Sequence, residues 1–295
     1  PILLLTFILY STTLSNYFII NWDDDGYIIN NPMLKDFSWK SIVFMFTHLH
    51  LDNYHPITTL SNALEYHLFQ LNPTPYHFNN IILHLLNTGL VFYLIKLLLK
   101  NKEAAFIVAL LFAIHPMHVE SVAWLSERKD LLYTAFFLLS LIFYHRFITE
   151  NKNNYLMLSA AMMLLSCLSK SAAVALTPVL FLIDFYEGKK ITIQSLLPKI
   201  PFFLLSFLFG VIALFSQNKS GSMNMVAHFS IFDKIFLASY GLVFYIAKLF
   251  VPLHLSSMYL YPVKMNGFLP MQYYLSPLII IAVVLLFFKY KQLQK

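Results

Sequence analysis

Three carboxylates stand in a row in Asn21-Trp22-Asp23-Asp24-Asp25-Gly26, directly after an apolar stretch. Adjacent carboxylates repel one another, and one poised at a membrane surface can take the proton of a hydroxyl as a general base. Carboxylate oxygens also suit a hard cation such as Mg²⁺ or Mn²⁺, although no metal is expected here. A solvated acidic loop is the plain alternative. A second group is Tyr54-His55-Pro56-Ile57-Thr58 with Pro75-Tyr76-His77, Asn80 and His84. His77, Asn80 and His84 fall at i, i+3 and i+7, one face of a helix. Polar residues on such a face line a cavity or bond a neighbouring helix. No HExxH occurs, so an intramembrane zinc protease is not indicated.

The third group runs from His115-Pro116-Met117-His118-Val119-Glu120 to Glu127-Arg128-Lys129-Asp130. Pro116 must end the incoming helix, because its ring removes a backbone hydrogen bond. Arg128 and Lys129, a planar fork and a point charge, suit a phosphate; ion pairing with Glu127 and Asp130 is the alternative. Lys170, between two apolar runs, is costly in a membrane unless it snorkels or has a function. Together with Arg128 and Lys129 it would form an anionic headgroup pocket.

The elements that carry these groups are membrane helices. The 295 residues are 59% hydrophobic and only 12% charged, with a mean hydropathy of +0.67. A soluble domain has about 25% charged residues, so neither a soluble globule nor a disordered chain fits. Apolar runs fall at 1–20, 78–99, 103–115, 130–148, 154–168, 171–186, 200–217, 231–252 and 274–290, with a polar loop over 21–75 that has room for short interfacial helices at 38–50 and 57–70. The runs 154–168 and 171–186 are short for a span of about 20 residues. The fold class is therefore all-α, a polytopic integral membrane protein, read as one transmembrane domain over 1–295.

The net charge is +6, and Arg128 and Arg146 are the only arginines. The lysines flank apolar runs, a topology signal and not a nucleic-acid surface. Lys96, Lys100 and Lys102 mark one turn, Arg146 and Lys152 a second, and Lys189, Lys190 and Lys199 a third. Alternating spans put all three on the cytoplasmic side and the loops 21–75 and 116–129 opposite. Past residue 217 the bookkeeping conflicts: alternation puts the tail Lys289, Lys291 and Lys295 outside, and its charge argues for inside. Tyr259, Tyr261 and Pro262 read as an interfacial belt. Cys167 is the sole cysteine, which excludes an internal disulfide or a cysteine metal cluster. No Gly-rich phosphate loop or dinucleotide fingerprint is present. Pro1 opens inside an apolar stretch without Met or a basic flank, so a start further upstream is expected, and residues 1–20 are not read as a cleaved signal.

Taken in order, the motifs resemble one family: Trp22-Asp23-Asp24; Asn31-Pro32; Tyr54-x-Pro56-Ile57-Thr58; Pro75-x-His77-x-x-Asn80-x-x-x-His84; His115-Pro116-x-His118-x-Glu120-Ser121-Val122-Ala123-Trp124; and Arg128-Lys129-Asp130-Leu131-Leu132. They look like the membrane part of the transmembrane and tetratricopeptide-repeat O-mannosyltransferases, their bacterial relatives and the wider GT-C glycosyltransferases, strongly over 15–190. The resemblance implies a GT-C-like helical bundle with a long first extracytoplasmic loop and catalysis on that face. It implies a polyprenyl-phosphate sugar donor, mannose by family, and a Ser or Thr hydroxyl on an acceptor protein. Asp23 and Asp24 fall on the catalytic acid motif, with Asp23 leading. Arg128, Lys129 and Lys170 would meet the donor phosphate, while Tyr54, His77, His84, His115, His118 and Glu120 would line the pocket. No cofactor is expected. Two departures are visible. No tetratricopeptide repeat follows within the 295 residues, which implies either a shortened chain or a separate acceptor-binding partner. Lys170-Ser171 stands where eukaryotic members tend to have Lys-Glu. A bacterial inner membrane with a periplasmic site is the expected location, with the endoplasmic reticulum lumen as the alternative. The rival function is a transporter or flippase of polyprenyl-linked lipids, which would use the same pocket without a base.

Overall fold

A computed structural model describes residues 1–190, 192–221 and 228–293. The described residues are helical, with two isolated β-bridges and no strand. They group into two compact units, 1–220 and 221–295, where the sequence reads as one domain.

In the first unit α1 (Ile2–Tyr10) tightens into a 3₁₀ turn over Ser11–Ser15 and stops. The cause is local. Ser11, Thr13 and Ser15 each turn their hydroxyl back on the carbonyl three residues earlier, which competes with a regular helix. The apolar run 1–20 is thus helical only to residue 15. The polar loop holds α2 (Pro32–Lys35), α3 (Trp39–Thr47) and α4 (Pro56–Phe69), close to the two short helices expected. Asn31 and Ser38 cap α2 and α3 with their side-chain oxygens.

Next comes α5 (Pro73–Leu99), started by the Asn72 cap with Pro73 at its first position and ended by Lys100 in a left-handed conformation. Asn101 accepts from the backbone N–H groups of Glu103 and Ala104, both at 2.9 Å, and opens α6 (Lys102–Ile114). Pro116 ends that helix as expected, and after a 52° bend the chain continues to α7 (Val119–Ala123). The long α8 (Arg128–Glu150) follows, then α9 (Asn153–Ser169). Lys170 is fully extended, a 3₁₀ turn covers Ser171–Ala175, and α10 (Leu176–Tyr186) resumes. The two short runs thus meet at a break at Lys170, where the chain turns back. The unit ends with α11 (Ile193–Leu196) and α12 (Ile200–Lys219). By length and composition three stretches can cross a bilayer, Pro73–Leu99, Leu125–Glu150 and Ile193–Lys219, or four if the bent pair around Pro116 counts as one.

Packing fixes where the ends of these helices lie. α8 and α9 approach closely at two serines: Ser140 and Ser159 each donate to the other's carbonyl at 2.8 Å, the small-residue contact that membrane helices favour. Around it Leu141, Tyr144, Met163, Cys167, Leu180 and Phe202 form the buried core. At one end the Tyr186 hydroxyl donates to the Leu98 carbonyl and Lys189 to the Ile148 carbonyl, both at 3.0 Å. The three lysine-rich turns thus share an end. The other end of α8, 22 residues away and so about 33 Å along its axis, carries Arg128, Lys129 and Asp130. Impermeant thiol reagents should label Asn53→Cys and Ser121→Cys from the same side of the membrane, without background from Cys167, which is fully buried. Labelling of just one of the two would refute the shared face.

The second unit pairs α13 (Ile231–Phe250) with α14 (Met271–Leu293), which contains Pro277. Ser230 and Asp233 form a reciprocal cap on α13, and Lys264 holds Asp233 at 2.6 Å. Tyr240 packs on Tyr273 with ring centres 4.2 Å apart. Tyr259 and Tyr261 are exposed, as an interfacial belt requires. Lys295 and the Lys291 side chain, part of the basic tail, lie outside the described residues.

Candidate active site

The three adjacent carboxylates separate as soon as they fold. Asp24 is fully buried. Its two oxygens accept from the Ile19 N–H at 2.9 Å, from the Ser126 N–H at 3.0 Å and from the Ser126 hydroxyl. Asp25 turns to the Asn21 N–H, 2.6 Å away. Asp23 is the most open of the three: its side chain is 47% exposed, and one oxygen lies 3.9 Å from the Lys129 ammonium. Trp22 and Trp124, with ring centres 5.2 Å apart, pack the acidic loop against the turn before α8. So Asp24 fastens the loop to Ser126, and Asp23 faces outward beside a cation.

Lys129 and Lys170 meet through one carboxylate. Glu127 takes Lys129 on one oxygen at 2.8 Å and Lys170 on the other at 3.4 Å. Lys170 also pairs with Asp130, whose second oxygen accepts from the Ser121 hydroxyl at 3.3 Å. Two ammonium groups and two carboxylates thus make a compact, balanced set at the start of α8. Glu120 lies within electrostatic reach of all four. The break after α9 serves this set, because an extended Lys170 is what reaches Asp130 and Glu127. Tyr27 stacks under Lys129, whose ammonium is 5.2 Å from the ring centre. Burial pushes the Tyr27 hydroxyl up to about 12, so it stays protonated while accepting from Asn53 at 2.7 Å.

Arg128 does not join this surface. Its guanidinium is buried, paired with Glu65 and bonded to Asn80 at 2.8 Å, the Tyr76 carbonyl at 2.9 Å and the Ser61 hydroxyl at 3.4 Å. Asn79 supports the second Glu65 oxygen at 2.5 Å. The fork that sequence assigns to phosphate is directed at protein groups from α4 and α5. Lys129, the next residue round the helix, points to the charged set instead.

The expected pocket residues divide three ways. Tyr54 donates to the Phe46 carbonyl at 2.8 Å and packs against Phe209. His77 is buried near Asp24 and Arg128, with no hydrogen-bond partner on either ring nitrogen among the described residues. His84, His115 and His118 gather elsewhere, with His118 about midway: its ring centre is 6.0 Å from His84 and 6.1 Å from His115. Tyr10 and Phe112 pack against His84, whose Nε2 donates to the Ala113 carbonyl at 2.9 Å. Among the described residues no group of three or more His, Cys, Asp or Glu is arranged to hold a metal ion.

Four contributors carried no role in the sequence reading: Ser126, Glu65, Tyr27 and His55. His55 sits at the start of α4, on the wall of a small cavity that it shares with Asn53, Ser171 and α12. Burial and the nearby charges of Lys129 and Lys170 lower it to about 4. The folded protein thus refuses a proton that the unfolded chain accepts near 6.5. Stability should fall as pH drops from about 6.5 to about 4, and level off below. Melting temperatures of wild type and His55→Gln in that window test this; parallel curves would contradict it.

The match to known families decides the relationship. Residues 56–218, more than half of the chain, match the family model described as dolichyl-phosphate-mannose-protein mannosyltransferase. The chain belongs to this mannosyltransferase family. The relatives it is similar to are named protein O-mannosyl-transferases. Protein O-mannosyl-transferase TMTC1 of Mus musculus is 36% identical over 137 residues, 42% of this chain and 14% of the relative. Protein O-mannosyl-transferase TMTC2 of Homo sapiens is 38% identical over 144 residues, 46% of this chain and 17% of the relative. Protein O-mannosyl-transferase F38B6.6 of Caenorhabditis elegans is 33% identical over 196 residues, 61% of this chain and 27% of the relative. The matched stretch is thus a small part of each relative. No solved structure matches the chain. The matched region of this mannosyltransferase family member runs from α4 to α12 and includes Arg128, Lys129 and Lys170; Asp23, Asp24 and His55 precede it.

Proposed function

We propose that this chain transfers a sugar, mannose by family, from a polyprenyl-phosphate donor to a Ser or Thr hydroxyl of an acceptor protein on the extracytoplasmic face. The observation that carries the proposal is the division of labour between neighbouring acids: Asp24 is saturated with donors, while Asp23 stays half-exposed beside Lys129. In the proposed reaction the acceptor oxygen attacks the anomeric carbon and its proton passes to Asp23. The bond between that carbon and the phosphate oxygen breaks, and its electron pair stays on the phosphate. A single displacement inverts the anomeric centre. The donor is a phosphodiester with one charge and the departing lipid phosphate gains another. Lys129 and Lys170, already placed, are the groups to stabilise it. Arg128 is a positioning residue in this scheme: it ties α8 to α4 and α5 and so aims Lys129. The chemistry calls on no cofactor.

The lysine-rich end is assigned to the cytoplasm by the excess of positive charge. A bacterial inner membrane with a periplasmic site, or the endoplasmic reticulum with a lumenal one, satisfies that orientation. The test is incubation of the purified chain with labelled polyprenyl-phosphate mannose and an extract of extracytoplasmic proteins. Label should pass to protein. Donor binding without transfer would put the lipid transporter in front.

A further inference from the structure

The cavity beside the charged set has no part in the scheme above. It measures about 70 Å³, several times the roughly 10–15 Å³ that one water needs. It has room for a few hydroxyl-sized groups. One wall is apolar and belongs to α12, with Phe209 and Ala213; the other is polar, with His55, Asn53 and Ser171. The cavity borders the cations at two points. Ser171 follows Lys170 in the chain. Asn53 donates to Tyr27, the ring that carries the Lys129 ammonium. His55 lines the polar wall within electrostatic reach of both ammonium groups.

We propose that this cavity receives the hydroxyl edge of the donor sugar and so selects the hexose; the inference rests on the transferase reading. The sugar is one bond away from the donor phosphate, so a site for its hydroxyls must border the phosphate cations, as this one does. An acceptor side chain carries a single hydroxyl and has no such tie to the cations. His55, held at about 4, is neutral at pH 7 and can offer a ring nitrogen to a sugar hydroxyl without adding a third positive charge beside the two lysines. The apolar wall suits the C–H face of a pyranose. The α12 wall is itself fastened to the loop, since the Ser216 hydroxyl donates to the Asp52 carbonyl and Lys219 reaches Asp52 at 3.7 Å.

The test measures what the sugar adds to binding. Dissociation constants of the full chain in detergent are compared for polyprenyl phosphate and polyprenyl-phosphate mannose. Two cavity hydrogen bonds should make the mannose lipid bind about 10-fold more tightly, each contributing about 2- to 10-fold. His55→Ala removes the polar partner, and Ala213→Leu fills the space from the opposite wall, so misfolding of one variant leaves the other to decide. Each should cut the sugar's contribution to within about 2-fold and leave the sugar-free lipid unaffected. A wild-type preference retained in both variants overturns the proposal. So does a wild type that binds both lipids equally, which leaves the transferase reading standing. A wild type that binds neither lipid overturns both.

Discussion

Asp23→Asn is expected to slow sugar transfer by about 10²–10⁴-fold, the range of a positioned general base, while the donor KM stays near that of the wild type. The expectation follows from geometry. Asp23 is the acid of the triplet with an exposed carboxylate, and it makes its charge contact at 3.9 Å, loose enough to accept a proton from an approaching hydroxyl. Loss of rate without loss of binding marks an interaction made in the transition state. Asp24→Asn should behave differently. Its new amide would face the N–H groups of Ile19 and Ser126, both now bonded to the carboxylate. A buried donor left unsatisfied costs about 1–3 kcal/mol, so the yield of folded protein should drop and the melting temperature with it. Steady-state kinetics with melting curves separate the two. Normal transfer by the double variant Asp23→Asn/Asp24→Asn would remove the base assignment and favour the lipid transporter.

Arg128→Ala should fail chiefly as a folded protein. Taking one partner from a buried ion pair leaves the other charge stranded, at about 3–5 kcal/mol, and Glu65 would be that stranded charge. The damage reaches Asn80 and the Tyr76 carbonyl, which also lose their donor. Arg128→Met combined with Glu65→Leu removes both charges at similar volume and should recover much of the lost stability. Lys129→Ala, one residue on, should fold and instead raise the donor KM. Thermal unfolding of the four proteins in detergent decides between these roles. An Arg128→Ala protein with normal stability and a raised donor KM would return Arg128 to the phosphate.

Much of the architecture was legible because membrane helices announce themselves. Apolar length, the Asn72 and Asn101 caps and Pro116 place α5, α6 and the bend between α6 and α7 close to where they stand. The lysine count grouped the turns at one end, and the Tyr186 and Lys189 contacts show them together. What escaped has physical reasons. Hydroxyl back-bonding shortened the first run at Ser11–Ser15, and hydropathy averages do not register it. The split of roles between Asp23 and Asp24 depends on Ser126, about a hundred residues away, and no local pattern reports such a partner. Arg128 and Glu65 are separated by 63 positions. Read locally, an arginine beside a lysine looks like a pair of phosphate ligands, yet successive helical positions face different ways. His55 was visible as a letter, but its meaning needed the α12 wall that only folding brings to it.

At the lysine-rich end, Lys199 lies fully buried with its ammonium 2.5 Å from Asp184, whose other oxygen accepts from Tyr144 at 2.8 Å. Lys199 stands at the threshold of α12, and Asp184 near the close of α10. An unpaired charge costs about 2.5–3.5 kcal/mol at the centre of a membrane segment and less toward its ends. Each segment on its own would carry part of that burden into the lipid; the pair relieves it. Insertion of α10 and α12 together would spare each segment its unpaired charge.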